Sequence, residues 1–149
     1  MSMVVTAPEP STATLMFIAH RTAESQVLEA LRAGGFSDLT LAQCRIAQRL
    51  NPAGMRVTEL AEQARVTKQT AGALVEELER SDYVVRRPDP QDGRARLVLL
   101  SARGEQLCAA AAAEVARVEA GWRAHLGTTA FRQLTAALVS LREITDPDG

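Results

Sequence analysis

The chain of 149 residues is long enough for one domain, and the 46% of its residues that are hydrophobic can form a buried core. A formal net charge of −1 does not indicate nucleic-acid binding by itself, so any DNA-binding charge has to be local. Aromatic residues make up only 3% of the chain, which argues against a surface that stacks single-stranded bases.

The N-terminal sequence and the hydropathy pattern favour a cytoplasmic protein. Residues 1–10 lack the basic start of a secretory signal, and the apolar run at residues 15–19 is too short for its core. No apolar segment is long enough to span a bilayer. We therefore expect no membrane partner.

The first helix is predicted over residues 12–33, after a proline-containing arm, residues 1–11, that is expected to be loose. Gly34 and Gly35 end the helix. Its apolar residues lie in two rows, as in a helix that contacts more than one surface, for example at a dimer interface. The rows are Leu15, Ile18 and Thr22, and Phe17, Leu28 and Leu31.

Two shorter helices are predicted next. The second helix follows Ser37 or Asp38, either of which can cap its N-terminus, and runs to about residue 50. A loop with proline and glycine separates it from the third helix, residues 57–64. The residue before this third helix is Arg56, whose side chain is a poor N-cap.

The fourth helix has the pattern of a helix that lies in a DNA major groove. It opens at Thr67, a good N-cap residue, and its first residues are polar: Thr67, Lys68, Gln69 and Thr70. At this end the helix dipole and the free amides favour a phosphate. One apolar stripe faces a core, and it consists of Ala71, Leu74, Val75 and Leu78.

A β-hairpin follows, with strands at residues 83–85 and 94–100 and a turn-rich tip at residues 88–93. Four arginines surround this tip, more than solubility requires: Arg86, Arg87, Arg94 and Arg96. An exposed hairpin that carries its charges only for solvation is the alternative. Helix, turn, helix and basic hairpin together predict a winged helix-turn-helix over residues 38–100.

Two long helices complete the chain. Ser101 can cap the first of them, which runs to about residue 126, and Thr128 or Thr129 can cap the last; the tail, residues 146–149, should be frayed. The apolar stripes of residues 12–35 and 101–145 exceed what a small winged domain covers. We therefore expect these segments to form a homodimer with two-fold symmetry, the alternative being a larger monomeric core.

Several motifs of this chain resemble those of the MarR-type transcriptional regulators. The most specific is Asp89-Pro90-Gln91-Asp92-Gly93-Arg94, which matches the D-P-x-D-x-R signature of the family's wing. Residues 60–61 and 66–70 match the family's L-A and V-S-K-x-T patterns, and residues 98–104 are close to its V-x-L-T-x-x-G pattern. The chain departs from the family at Gly72, Ala73, Asp82 and Arg56; the last stands where a threonine or serine usually caps the helix.

The resemblance implies a single domain, residues 1–149, that is mainly α-helical with a small β-hairpin wing. It also implies a repressor that binds a palindromic double-stranded operator and is released by a small molecule. In the family the wing aspartate orients the arginine that enters the minor groove. We therefore predict these DNA-binding residues: Thr67, Lys68, Gln69, Thr70, Arg86, Asp92, Arg94 and Arg96.

The resemblance further implies an effector, often a small aromatic or phenolic anion, in the crevice between the dimer helices and the winged domain. Phe17 would supply an apolar wall there, and Arg21, one turn further on, would pair with the anion. The alternative is that Phe17 belongs to the core and Arg21 is a solvated or interface charge.

Nothing in the sequence predicts an enzyme, a cofactor or a metal site. Nucleotide-binding glycine motifs are lacking, and His20 and His125 have no neighbours that would form a catalytic or metal site. Cys44 and Cys108 lie far apart in sequence and are expected to be buried free thiols. The alternative to a DNA-binding regulator is a winged-helix dimer that acts as a protein-interaction module without reading DNA, as Gly72 and Ala73 would allow.

Overall fold

The computed structural model describes residues 8–147, which form six helices and one hairpin. Most of the predicted N-terminal arm and the last two residues of the predicted tail therefore lie outside the described residues. The elements are α1 (Thr12–Ala33), α2 (Leu41–Ala47), α3 (Val57–Ala64), α4 (Lys68–Arg80), β1 (Val84–Asp89), β2 (Asp92–Leu100), α5 (Ala102–Leu126) and α6 (Thr128–Thr145). The structure confirms the mainly helical fold with a hairpin wing.

One hydrophobic core holds α2, α3, α4, β1 and β2 together, and we call these elements, with the segments that connect them and the approach to α2 (residues 38–100), the winged unit. Its largest side chains are fully buried, among them Leu39, Leu60, Leu78 and Tyr83. Burying one such leucine contributes about 1.5–3 kcal/mol relative to leaving it in water. The apolar stripe predicted for α4 accounts for the burial of Ala71, Val75 and Leu78.

Two helix starts differ from the sequence prediction. Thr40, not Ser37 or Asp38, caps α2, because Thr40 Oγ1 accepts the amide of Gln43 (3.2 Å) while Gln43 Oε1 accepts the amide of Thr40 (3.1 Å). This reciprocal pair satisfies two free amides at once. The helix also ends at Ala47 rather than near residue 50.

The last helix also starts differently from the prediction. Gly127, not a threonine, occupies its N-cap with a φ of 84°, and no side chain accepts a capping hydrogen bond there. The structure confirms the other predicted caps, Ser101 before α5 and Thr67 before α4. Asp82, which follows α4, adopts the left-handed conformation (φ 63°), which aspartate tolerates better than most residues other than glycine.

The hairpin tip is tighter than predicted. The two strands pair antiparallel from Val84 opposite Leu100 to Asp89 opposite Asp92, with an irregularity after Pro88. Only Pro90 and Gln91 remain between the strands, so the predicted tip at residues 88–93 was too wide. At the base, Met55 exchanges two backbone hydrogen bonds with Val98 (3.0 and 2.8 Å), which fixes the hairpin to the segment before α3.

The wing joins α5 through a close backbone contact. The amide of Ser101 donates to the carbonyl of Tyr83 (3.0 Å), and Ser101 Oγ accepts the amide of Gly104 (3.0 Å). A Cβ on Gly104 would lie 2.0 Å from the carbonyl oxygen of Tyr83, so no other residue fits without moving the backbone. This contact sets the direction in which α5 leaves the winged unit.

The three remaining helices, α1, α5 and α6, are the long helices of the molecule. They reach the common core through a few side chains, including Val27, Leu31 and Leu107. Many of their other apolar residues are exposed: Leu15, Phe17, Ile18, Val115, Leu126, Leu134, Leu138, Val139, Leu141 and Ile144. No helix in the described part of the chain is both long enough and apolar enough to cross a membrane.

Candidate nucleic-acid interface

The N-terminal end of α4 is a polar, solvent-exposed surface. Thr67 Oγ1 accepts the amide of Thr70 (3.1 Å), and the Thr67 hydroxyl donates to Thr70 Oγ1 (2.9 Å). The two threonines thus close the first turn of the helix. Lys68 and Gln69 lie between them with exposed side chains. Both side chains are accessible to a ligand at the positive end of the helix dipole.

The acidic residues of α4 lie towards its other end. Glu76 and Glu79 are exposed, and Glu77 accepts a hydrogen bond from the amide group of the buried Gln43 (3.0 Å). Charge is therefore separated along the helix, with the lysine in its first turn and the carboxylates in its later turns. Arg80 stands beside these carboxylates in the last turn, whereas the first turns offer an anionic ligand a surface without carboxylates.

The tip of the wing carries two exposed arginines, Arg94 and Arg96. Strand alternation places them on the same face of β2. Asp92 Oδ1 accepts the backbone amide of Arg94 (3.1 Å), so the structure shows Asp92 holding the backbone at this position. The guanidinium of Arg94 extends from a tip whose conformation Asp92 stabilises.

Arg86 lies in a different environment from the tip arginines. It is half-buried, pairs across the hairpin with Val98, and its Nε lies 3.6 Å from Glu79 Oε1. The structure therefore places Arg86 nearer the base of the wing than the tip arginines, with its side chain beside Glu79 of α4. Its contact with DNA stays a prediction.

Sequence reasoning missed an ion pair between Arg56 and Asp89. Arg56 donates from Nε (3.2 Å) and Nη2 (2.8 Å) to Asp89 Oδ2, while Asp89 Oδ1 accepts the amide of Gln91 (2.9 Å). The Gln91 amide and the Arg56 guanidinium lower the pKa of this aspartate, which is only 9% exposed. The unusual arginine at a capping position was the one hint of this ion pair in the sequence, but its partner Asp89 lies far away in the chain.

A second missed cluster surrounds Tyr83, whose hydroxyl donates to Asp38 Oδ1 (2.7 Å). The guanidinium of Arg103 stacks 4.3 Å from the ring centroid of Tyr83, and its Nη2 lies 3.3 Å from Asp38 Oδ1. Burial, followed by the bond to Asp38, raises the pKa of Tyr83 to about 12. The tyrosine hydroxyl is the main cause that lowers the pKa of Asp38. This cluster connects the approach to α2 with the start of α5.

A cavity of about 240 Å³ lies between α1, α2 and α5. Its walls include His20, Glu24, Cys44 and Trp122. Glu24 accepts two hydrogen bonds from Arg45 (2.9 and 2.7 Å), and hydrogen bonding to Arg45 is the main cause that lowers the pKa of Glu24. The position between the long helices and the winged unit is that predicted for an effector.

The two residues predicted to bind the effector lie next to each other on α1, outside the wall of this cavity. The guanidinium of Arg21 sits 5.5 Å from the ring centroid of Phe17, and the Phe17 side chain is exposed. The alternative that Phe17 belongs to the monomer core therefore does not hold. Effector binding by this pair stays a prediction.

The two cysteines have the character of structural thiols. Cys44 is buried, and burial raises the pKa of its thiol to about 11; Cys108 is half-buried, and burial raises the pKa of its thiol as well. A reactive cysteine needs a lowered pKa and access to solvent. Within residues 8–147 no group of three His, Cys, Asp or Glu side chains is arranged to hold a metal ion.

Comparison with known proteins finds a family match for most of the winged unit. Residues 37–95 match the model of the MarR family. No curated protein matches the chain in sequence.

Solved structures reproduce the whole fold. Wild-type MarR from E. coli in its apo form has a TM-score of 0.73 at 20% identity, over 91% of this chain and 98% of that one. The transcriptional regulator PA4135 has a TM-score of 0.70 at 26% identity, over 91% and 98%. The transcriptional repressor CouR, solved bound to a 23-mer DNA duplex, has a TM-score of 0.69 at 25% identity, over 88% and 92%. Residues 37–95 thus match the MarR family of transcriptional regulators, and over most of its length the chain has the fold of the solved regulators of this kind.

Proposed function

We propose that this protein is a homodimeric repressor that binds a palindromic operator and is released by a small molecule. The observation that carries the proposal is the exposed polar start of α4, in a winged unit whose wing tip exposes Arg94 and Arg96. CouR, a repressor of similar fold, is known bound to a DNA duplex. The charge of this chain is close to zero, so the local arrangement of these groups, and not bulk charge, supports DNA binding.

The exposed apolar residues of the long helices support the dimer. Side chains such as Leu138, Val139 and Ile144 lie on α6 with 42%, 65% and 80% of their surfaces exposed. A second copy of the same helices would cover them in an isologous two-fold contact. Two-fold symmetry then places two copies of α4 at half-sites about 34 Å apart, one turn of the duplex.

The first turns of α4 would read base edges in the major groove. Gln69 has the amide geometry for two hydrogen bonds to adenine, and Lys68 can donate to guanine or to a phosphate. Thr67 and Thr70, which bond to each other, present their remaining hydrogen-bonding capacity at the same end of the helix. The helix dipole adds attraction for the phosphates nearby.

The wing would contact DNA beside the recognition helix. Arg94 enters the minor groove, where a narrow groove concentrates the negative potential, and Arg96 binds a phosphate on the same side. Asp92 contributes by holding the backbone of Arg94. A contact by Arg86 would require this side chain to leave Glu79.

The cavity between α1, α2 and α5 is our proposed effector site, and a small aromatic or phenolic anion is the proposed ligand. Trp122 offers an aromatic wall. Phe17 and Arg21 would join the site only after a movement at α1 or at the dimer interface. The ligand acts by binding one spacing of the two recognition helices more tightly than the other.

A protein-interaction module without DNA readout is the second candidate. It is favoured by the exposed Ala73 and the exposed carboxylate of Glu76 on α4, which offer a DNA base no hydrogen-bond donor. Such a module would use the winged unit as a docking surface.

A salt-dependent gel-shift experiment separates the two candidates. The purified protein is titrated against fragments from upstream of its own coding region, with coding-region fragments of equal length as the control. The repressor should select a palindromic fragment, with an affinity that falls as salt rises. Equal, weak binding to every fragment would favour the interaction module.

A further inference from the structure

The contact between Arg56 and Asp89 joins two parts of the winged unit that are 33 residues apart in sequence. Arg56 is the residue before α3, and Asp89 is the last residue of β1. Both carboxylate oxygens of Asp89 are used, one by the guanidinium and one by the amide of Gln91 at the tip. Charge-assisted bonds of this geometry are about twice as strong as neutral ones.

Arg56 also approaches the other carboxylate of the wing. Its Nη2 lies 3.9 Å from Asp92 Oδ2, and Asp92 Oδ1 holds the amide of Arg94. The guanidinium thus lies beside both carboxylates that shape the tip. The base of the hairpin is fixed separately, by the backbone bonds between Met55 and Val98.

We propose that Arg56 is a positioning residue for DNA binding, which acts through Asp89 to hold the wing tip at a fixed place relative to α3 and α4. The inference rests on the DNA-binding function proposed above. A hairpin held only at its base would have to be ordered when DNA binds, and the loss of conformational entropy would reduce affinity. With the tip held in advance, Arg94 and the start of α4 meet the duplex as one rigid surface.

Direct contact of Arg56 with a phosphate is the competing explanation, since its side chain is 41% exposed. The variant Asp89→Asn separates the two. It keeps the size of the side chain and the acceptor for the Gln91 amide, leaves the positive charge of Arg56 in place and removes a negative charge near DNA. Electrostatics alone therefore predicts tighter binding, whereas loss of positioning predicts weaker binding.

The test measures operator affinity by fluorescence anisotropy for the full dimer. Asp89→Asn and Arg56→Gln should each weaken binding roughly tenfold, within the range for losing one arginine contact. Arg45→Gln is the matched control: it removes a bidentate arginine–carboxylate pair of the same charge type, between α1 and α2, and should leave affinity unchanged. Melting temperature is followed to confirm that each variant is folded.

A double-mutant cycle gives the sharper readout. Adding Arg94→Ala to Asp89→Asn should lower the operator affinity by less than a further factor of two. A wing that is no longer positioned has already lost its contact with the minor groove. Gln69→Ala should retain its full effect in the Asp89→Asn background. Additive effects of Asp89→Asn and Arg94→Ala would overturn the inference, as would tighter binding by Asp89→Asn.

Hydrogen exchange in the free dimer tests the same idea without DNA. Asp89→Asn should speed exchange at the amides of Gln91 and Arg94 and leave the amide of Val98 unchanged, and unchanged exchange at the tip would overturn the inference. DNA binding by the wing and positioning of the wing by Arg56 can be disproved separately. If Arg94→Ala has no effect in the wild-type background, the proposed DNA-binding role of the wing is wrong; if it has an effect but Asp89→Asn does not, only the positioning role is wrong.

Discussion

The winged unit and the long helices bury their apolar residues to very different extents. In the winged unit, Leu39, Leu60, Leu78 and Tyr83 have no exposed surface, and the polar partners of Tyr83 and Asp89 lie in the same chain. On the long helices, many leucines, valines and isoleucines remain exposed. The winged unit therefore buries its apolar residues within one chain, whereas the long helices expose an apolar surface that we propose a second chain covers.

The largest loss of stability is expected from a substitution in the core of the winged unit. Leu78→Ala should lower the free energy of unfolding by about 2–5 kcal/mol, because it leaves a cavity among fully buried neighbours. Urea denaturation measures the change. Lys68→Ala, on the exposed face of the same helix, is the control and should stay within about 0.5 kcal/mol. A small effect of Leu78→Ala would mean that the core is not closed within one chain.

A charge on the exposed apolar face of α6 should separate the subunits. Leu138→Glu should weaken the dimer by on the order of 3 kcal/mol, because the carboxylate would be buried without a partner in the interface. Sedimentation over a range of concentrations measures the dissociation constant. Ser140→Glu lies across the helix from Leu138, since two residues advance the helix by about 200°, and should leave the dimer intact. Equal sedimentation of both variants would place the interface elsewhere.

The wing tip should affect DNA binding but not stability. Arg94→Ala should reduce operator affinity by about 1–3 kcal/mol, because it removes the side chain proposed for the minor groove. The melting temperature should stay the same, since Arg94 is exposed in the free protein. Affinity measured by anisotropy and melting measured by circular dichroism check both parts. A drop in melting temperature equal to that of a core variant would show that Arg94 supports the fold instead.

Stability should fall at both ends of the pH range, and the winged unit supplies most of the groups responsible. The pKa values of Asp38 and Asp89 are lowered in the fold, so their stabilisation is present at neutral pH and lost as pH falls below the ordinary value of 3.8. The pKa values of Cys44 and Tyr83 are raised to about 11 and about 12, from 9.0 and 10.0. The unfolded chain releases these protons first, so stability is lost as pH rises from about 9 to about 12.

Tyr83→Phe tests the alkaline half of this prediction. The variant lacks the phenol proton, so its free energy of unfolding should fall less steeply between pH 10 and pH 12 than that of the wild type. Urea titrations at several pH values measure both slopes. Identical slopes would show that Tyr83 does not contribute to the alkaline loss of stability.

The sequence predicted the elements whose signals are local and missed the contacts that span the fold. Thr67 could be identified as a cap because its partner amide lies three residues away. The sequences around Arg56 and around Asp89 do not indicate that the two residues pair, because their contact forms only when the hairpin folds against the segment before α3. The start of α2 was misplaced because several neighbouring residues can cap a helix. Asp38 instead accepts a hydrogen bond from Tyr83, which sequence spacing does not reveal.

Base readout by α4 is tested most directly at Gln69, in the first turn of this helix. Wild type and Gln69→Ala are titrated against a panel of operators in which each position of the half-site is changed in turn. The account predicts that Gln69→Ala loses preference at one position per half-site, keeps it at the others, and binds non-specific DNA with unchanged affinity. An equal loss of affinity on every sequence, or a preference identical to that of the wild type, would contradict the claim that this end of α4 reads DNA bases.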